Sequence, residues 1–118
     1  MTDHPVLDPL VLFEYDHRPG SYCLMLSDTD MGPADDVFEE CGQYGNGYGW
    51  QGVAMSALRL RTPELADRVS FDSEAGTFVA HAEDPDALRS LGALLREAWQ
   101  DPVVLKQFIE AGDPDWFD

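Results

Sequence analysis

The sequence predicts an α+β domain in which an antiparallel sheet, built from two β-hairpins, packs against helices on one face. Two observations predict this class. Apolar residues alternate with a period of two in two pairs of segments, and turn-forming residues join each pair. Each pair is followed by segments whose apolar residues recur at helical spacing, which gives the order ββ-αα-ββ-αα. We treat residues 1–118 as a single domain, because a chain of this length is normally one.

The first half of the chain contains one hairpin and two helices. An alternating run starts at Val11, turn residues occupy 18–21, and a second alternating run starts at Tyr22. Pro33 suits the first turn of a short helix over about residues 33–41. Residues 45–49 are too rich in glycine to predict regular structure, and Asn46 is expected to take a positive φ in a turn. A helix over residues 50–60 follows, with one apolar stripe of Trp50, Val53, Ala54, Ala57 and Leu58.

The second half repeats this order. Val69 and Phe71 alternate with polar residues, 73–76 form a turn, and Phe78 begins the returning strand. Asp84-Pro85 and Asp101-Pro102 each combine an N-cap residue with a proline suited to the first helical turn, so each predicts the start of a helix. Gly112 is expected to end the second of these helices.

The charge balance excludes several classes of partner. Seven Lys and Arg residues stand against 23 Asp and Glu residues, and the net charge at pH 7 is −16. Proteins that bind nucleic acids neutralise phosphates with basic side chains, so we expect no nucleic acid as a partner. An anionic membrane surface would repel the chain for the same reason. A basic protein partner would be attracted and steered.

Other features indicate an intracellular protein. No apolar run approaches the roughly 18 residues of a membrane span, and the first residues lack the pattern of a signal peptide. Cys23 and Cys41 are most simply reduced thiols, although a single disulfide between them is an alternative. We therefore expect a cytoplasmic protein.

Two motifs suggest chemistry, but neither meets the full requirements of the site it resembles. Residues 47–52 spell G-x-G-x-x-G, but no strand directly precedes them, so close packing at a helix start explains the glycines better than a dinucleotide does. Asp28 and Glu39 have the spacing of an EF-hand, but proline replaces the glycine required between them. The three histidines are far apart and form no catalytic or metal-binding spacing. We expect no enzymatic activity, no cofactor and no metal.

Two further stretches connect the chain with a known family. These are GNGYGW at residues 45–50 and FDSEAGTFVA at 71–80, followed by the two Asp-Pro helices. Over about residues 10–112, the sequence resembles the bacterial polymorphic-toxin immunity proteins of the family numbered fifty-one. The resemblance implies a small cytoplasmic α+β protein that binds and neutralises a cognate toxin domain. The alternative is an acidic interaction module unrelated to toxins, such as a nucleic-acid mimic, and a toxin gene immediately upstream would favour immunity.

The candidate partner-binding residues lie outside these motifs. Acidic residues are concentrated in a segment with no base between Arg18 and Arg59, and because clustered like charges repel, the fold gains nothing from them. We expect this segment to steer and hold a basic toxin domain, a solubilising surface being the alternative. The C-terminal aromatic pair supplies candidate anchors, or else folds back onto the core. The set is Asp28, Asp30, Asp35, Asp36, Glu39, Glu40, Trp116 and Phe117.

Overall fold

The computed structural model describes residue 7, residues 9–27 and residues 30–117. It confirms the predicted α+β class and the order of strands and helices. Short 3₁₀ helices lie over Gly32–Ala34, Pro63–Arg68 and Pro114–Phe117. The strands and α-helices are β1 (Val11–Glu14), β2 (Tyr22–Ser27), α1 (Asp35–Glu40), α2 (Gly47–Arg61), β3 (Ser70–Phe71), β4 (Thr77–Ala82), α3 (Pro85–Gln100) and α4 (Pro102–Ala111).

Within the described residues, the strands form a four-stranded antiparallel sheet in the order β1-β2-β4-β3. Leu24 pairs with Ala80, Leu26 pairs with Phe78, and all four side chains are buried. Side chains alternate between the two faces of a strand, so these residues define the core face of the sheet. Helices α2 and α3 pack on that face.

Both Asp-Pro signatures open helices, as predicted. The side chain of Asp84 accepts the N–H of Asp86 at 2.9 Å at the start of α3. The side chain of Asp101 accepts the N–H of Val103 at 3.0 Å at the start of α4. Each cap satisfies a donor that the helix itself leaves unpaired, which stabilises the helix by about 1 kcal/mol.

The two central helices differ from the prediction at their ends. The helix predicted over 33–41 is a 3₁₀ turn followed by α1, and the chain then turns at Gly42, whose φ is +75°. The prediction that residues 45–49 are irregular is confirmed for 45–46 and wrong for 47–49, because α2 begins at Gly47. The positive φ expected at Asn46 is also wrong, since its φ is −103°. Asn46 is the N-cap, and its side-chain oxygen accepts the N–H of Gly49 at 2.8 Å.

Trp50 lies at the centre of the core. It is fully buried, as predicted from its position at the head of the apolar stripe. The ring of Phe38 meets it nearly edge-on, with centroids 5.7 Å apart and planes at 62°. Such a pair adds about 0.5–1.5 kcal/mol beyond the burial of its area. Trp50 therefore joins α1 to α2 through packing.

We expect Trp50→Ala to lower the free energy of unfolding by about 3–5 kcal/mol, because it leaves a large cavity in the core. That loss is a large part of the stability of a typical domain. Chemical denaturation measures it. The indole N–H of Trp50 has no hydrogen-bond partner among the described residues, so Trp50→Phe should cost much less. A Trp50→Ala protein as stable as the wild type would contradict this account of the core.

The Tyr15 hydroxyl donates a hydrogen bond to the sulfur of Cys23, and this bond, with burial, raises the pKa of Tyr15 from 10.0 to about 12. Because the folded state keeps the phenol protonated, its contribution to stability is present below pH 10.0 and disappears as the pH rises through about 12. An absorbance titration of the phenolate should therefore show a late-ionising group. Tyr15→Phe should remove it, and an unchanged titration curve would refute the assignment.

Candidate functional site

The glycine-rich start of α2 packs backbone against backbone. A Cβ atom on Gly47 would lie 1.8 Å from the carbonyl oxygen of Glu74, and one on Gly49 would lie 2.0 Å from that of Tyr44. Real Cβ atoms do not approach so closely, so only glycine fits at these two positions. The N–H of Gly47 also donates to the carbonyl oxygen of Ala75 at 2.9 Å. The contacts of Gly47 fix α2 to the turn between β3 and β4, and the contact of Gly49 packs α2 on the segment that precedes it.

This packing explains the G-x-G-x-x-G pattern at residues 47–52. In a dinucleotide site, the amides of such glycines face a pyrophosphate. Here the amides of the first two glycines already donate within the chain, to Ala75 and to Asn46. The third glycine is covered by Phe117, whose ring lies 2.7 Å from where a Cβ would be. The glycines serve the packing of this chain.

Helix α1 presents four carboxylates at the surface. Phe38 is its buried residue and anchors it to the core. Asp36 lies one turn from Glu39 and from Glu40, so like charges repel within a helix of six residues. We call the exposed set the acidic face, and it consists of Asp35, Asp36, Glu39 and Glu40.

Two exposed tyrosines lie in the segment that follows the acidic face and in the helix turn after it. The carboxylate of Asp35 is 2.7 Å from where a Cβ on Gly45 would be, so the segment between α1 and α2 borders the face. Tyr44, in that segment, is 75% exposed, and Tyr48, in the first turn of α2, is 38% exposed. Neither tyrosine is among the contact residues predicted from the sequence, and their aromatic character among glycines was the available signal. Tyrosines beside charged residues are typical of protein–protein contacts.

Helix α4 packs on α1 and adds charges at the border of the acidic face. Burial raises the pKa of the Cys41 thiol, which follows α1. The charge of Glu110 raises that pKa further, and the charge of Lys106 opposes this effect. Helix α4 therefore brings a basic side chain, that of Lys106, close enough to the end of α1 to affect the charge there. The sequence around α1 contains no basic residue.

The other predicted contact residues are not all brought to the acidic face. Asp28 lies outside the described residues. Asp30 is half-buried, and its carbonyl oxygen accepts the indole N–H of Trp99 at 2.7 Å. The guanidinium of Arg59 lies 4.9 Å from the ring centre of Trp116. Because Arg59 is in the last turn of α2, Trp116 lies at the opposite end of that helix from the acidic face.

Phe117 is a core residue and is removed from the candidate partner-binding set. It is 1% exposed, and its ring lies 2.7 Å from a Cβ position on Gly52 and 3.0 Å from one on Gly112. The sequence left open that the C-terminal aromatic pair folds back onto the core. Phe117 does so. Trp116 is half-buried and lines an apolar hollow of about 400 Å³ together with Met55.

Both cysteines are free, which leaves the alternative Cys23–Cys41 disulfide unformed. Over the described ranges, no three His, Cys, Asp or Glu side chains are grouped so that they could hold a metal ion. In the same part of the chain, no helix combines the length and the apolar character that crossing a bilayer requires.

Comparison with known proteins gives the family. A family model described as Immunity protein 51 matches residues 10–114, which is most of the chain. The chain belongs to the Immunity protein 51 family. No curated protein and no solved structure matches it. The matched range of this Immunity protein 51 family member includes both the glycine-rich start of α2 and the acidic face.

We expect Gly47→Ala to destabilise the fold strongly, because its Cβ would collide with a backbone carbonyl that cannot move freely. Overpacking of this kind typically costs about 1–3 kcal/mol, and occasionally more. Gly32→Ala is the matched control, since a Cβ there meets nothing within 4 Å. Thermal unfolding of both variants tests the contact. Equal melting temperatures for the two variants would show that α2 does not need the close approach at Gly47.

Proposed function

We propose that this family member binds and neutralises a cognate bacterial toxin domain in the cytoplasm of the cell that makes the toxin. The observation that supports the proposal is the match to the Immunity protein 51 family over residues 10–114. The protein acts by binding rather than by catalysis, and it uses no cofactor or metal. The glycine motif is consistent with a protein that binds no dinucleotide cofactor, since the contacts of its glycines lie within the chain.

The charge of the chain supports a basic toxin as the partner. With a net charge of −16, the protein attracts a basic domain over a distance of about one Debye length, roughly 8 Å at physiological ionic strength. Such steering raises association rates by about tenfold to a thousandfold. A fast association suits an immunity protein, because the toxin must be bound before it acts.

We propose the acidic face, with Tyr44 and Tyr48, as the surface that steers and holds this partner. Exposed ion pairs contribute only about 0–1 kcal/mol each, so the carboxylates mainly direct the encounter. The tyrosines supply rigid area that a partner can cover at little entropic cost. We propose Asp28, Asp30 and Trp116 as further residues that contact the partner.

The test reverses three charges on α1. Asp36→Lys, Glu39→Lys and Glu40→Lys are combined in one variant, and Asp35 is retained because it lies against Gly45. We expect the variant to fold, to associate with the purified upstream-encoded toxin domain about tenfold more slowly or worse, and to lose protection in cells that express the toxin. The salt dependence of association should also become flatter.

The matched control makes the same change in net charge elsewhere. It combines Glu64→Lys, Asp86→Lys and Glu97→Lys, all exposed positions outside the acidic face and outside the other proposed contacts. We expect this control to keep most of its association rate and its protection. If both variants protect as well as the parent, the acidic face is solvated surface. If the wild-type chain does not bind the toxin domain, the proposed function itself is wrong.

A further inference from the structure

In the part of the chain that the structure describes, the helices pack on one face of the sheet and leave the second face uncovered. Val11 of β1 pairs with Met25 of β2, and Met25 pairs with Val79 of β4, so an apolar row crosses three strands. Directly paired residues share a face, and this row faces away from α2 and α3. Val11 is 55% exposed, and its neighbour on the same face, Phe13, is 38% exposed. We call this surface the open face.

A line of aromatic rings extends the open face along one edge of the sheet. The ring centres of Phe13 and Tyr15 are 5.6 Å apart, and those of Tyr15 and His17 are 5.5 Å apart. Phe13 pairs directly with Cys23 of β2, which is buried on this face of the sheet. Because these rings support one another in the free protein, a partner that covers them loses little side-chain entropy.

A cleft of about 470 Å³ adjoins the rings and has an acidic lining. Arg68 is already paired with Asp84 at 3.3 Å. The remaining carboxylates therefore outnumber the remaining base in the lining, and the rings of Tyr15 and His81 form part of the wall. A guanidinium fits such a site, since it pairs with carboxylates and stacks on aromatic rings. The charged residues of the lining are Arg18, Asp67, Arg68, Glu83 and Asp84.

We propose that the open face is a second contact surface for a basic protein partner, which places apolar side chains on the Val11–Met25–Val79 row and an Arg or Lys in the cleft. The partner is the toxin domain of the proposed function, and this inference rests on that function. Charge complementarity selects this occupant, because a second copy of the chain would also carry a charge of −16 and be repelled. The open face is distinct from the acidic face, since α1 packs on α2 and α4 in the helical layer.

The test is Val11→Arg, with Val103→Arg as its matched control. Both positions hold an exposed valine, 55% at Val11 and 64% at Val103, but Val103 lies on α4. We expect both variants to melt like the wild type. Val11→Arg should weaken binding to the upstream-encoded toxin domain about tenfold or more, mainly through faster dissociation, whereas Val103→Arg should leave it unchanged. Val11→Ser and Val103→Ser repeat the comparison if Val11→Arg fails to fold, with a smaller loss expected for Val11→Ser.

Each other outcome overturns the inference in a recognisable way. If the Val11 and Val103 variants bind the toxin domain equally well, while the triple reversal on α1 still weakens binding, the open face is not a contact and the proposed function stands. If sedimentation shows that the chain alone dimerises and Val11→Arg makes it monomeric, the occupant is a second copy. If the wild type does not bind the toxin domain, both proposals fail together.

Discussion

The contact between the first turn of α2 and the turn joining β3 to β4 is the constraint on which the rest of the fold depends. At Gly47, the backbone of α2 approaches Glu74 so closely that a Cβ would lie 1.8 Å from its carbonyl oxygen. The N–H of the same glycine donates to Ala75 at 2.9 Å, so the contact is polar as well as steric. Its position directs Trp50, one turn later, into the core, where the indole meets α1. A larger residue at the contact would displace the helix that carries the centre of the core.

This constraint separates the residues that build the fold from those available to a partner. The glycine motif and Trp50 take part in internal packing. Phe38 is the buried residue of α1, and the carboxylates of that helix lie at the surface. Like charges on α1 oppose folding slightly, by a few tenths of a kcal/mol per pair. Among the described residues, the helices cover the sheet on its core face, and Val11 is likewise exposed on the other face. The residues of the glycine motif are therefore structural, and the surfaces proposed for binding are those the core does not need.

The features that sequence could predict are local ones. Period-two alternation predicted the hairpins, and the two Asp-Pro pairs predicted α3 and α4, because capping and first-turn proline act within a few residues. Asn46 was missed as an N-cap because the glycines around it favour irregular backbone until they are packed. The burial of Phe117 depends on the space above Gly52, far away in sequence. Lys106 approaches the end of α1, and Tyr44 is exposed beside Asp35, only because the chain folds back on itself. Such long-range juxtapositions set the candidate site, and no local pattern encodes them.

On the account given above, the glycine motif supports the fold and does not itself contact the partner. Residue-resolved amide hydrogen exchange, measured on the free chain and on its complex with the toxin domain, tests this claim most directly. The N–H groups of Gly47 and Gly49 are bonded to Ala75 and Asn46 within the chain. In the free protein, these two amides should therefore exchange as slowly as the amides of the core strands. Binding of the partner should not change their exchange rates relative to those of the core. Rapid exchange of both amides in the free chain, with protection gained only in the complex, would place the motif in the binding site and contradict the account.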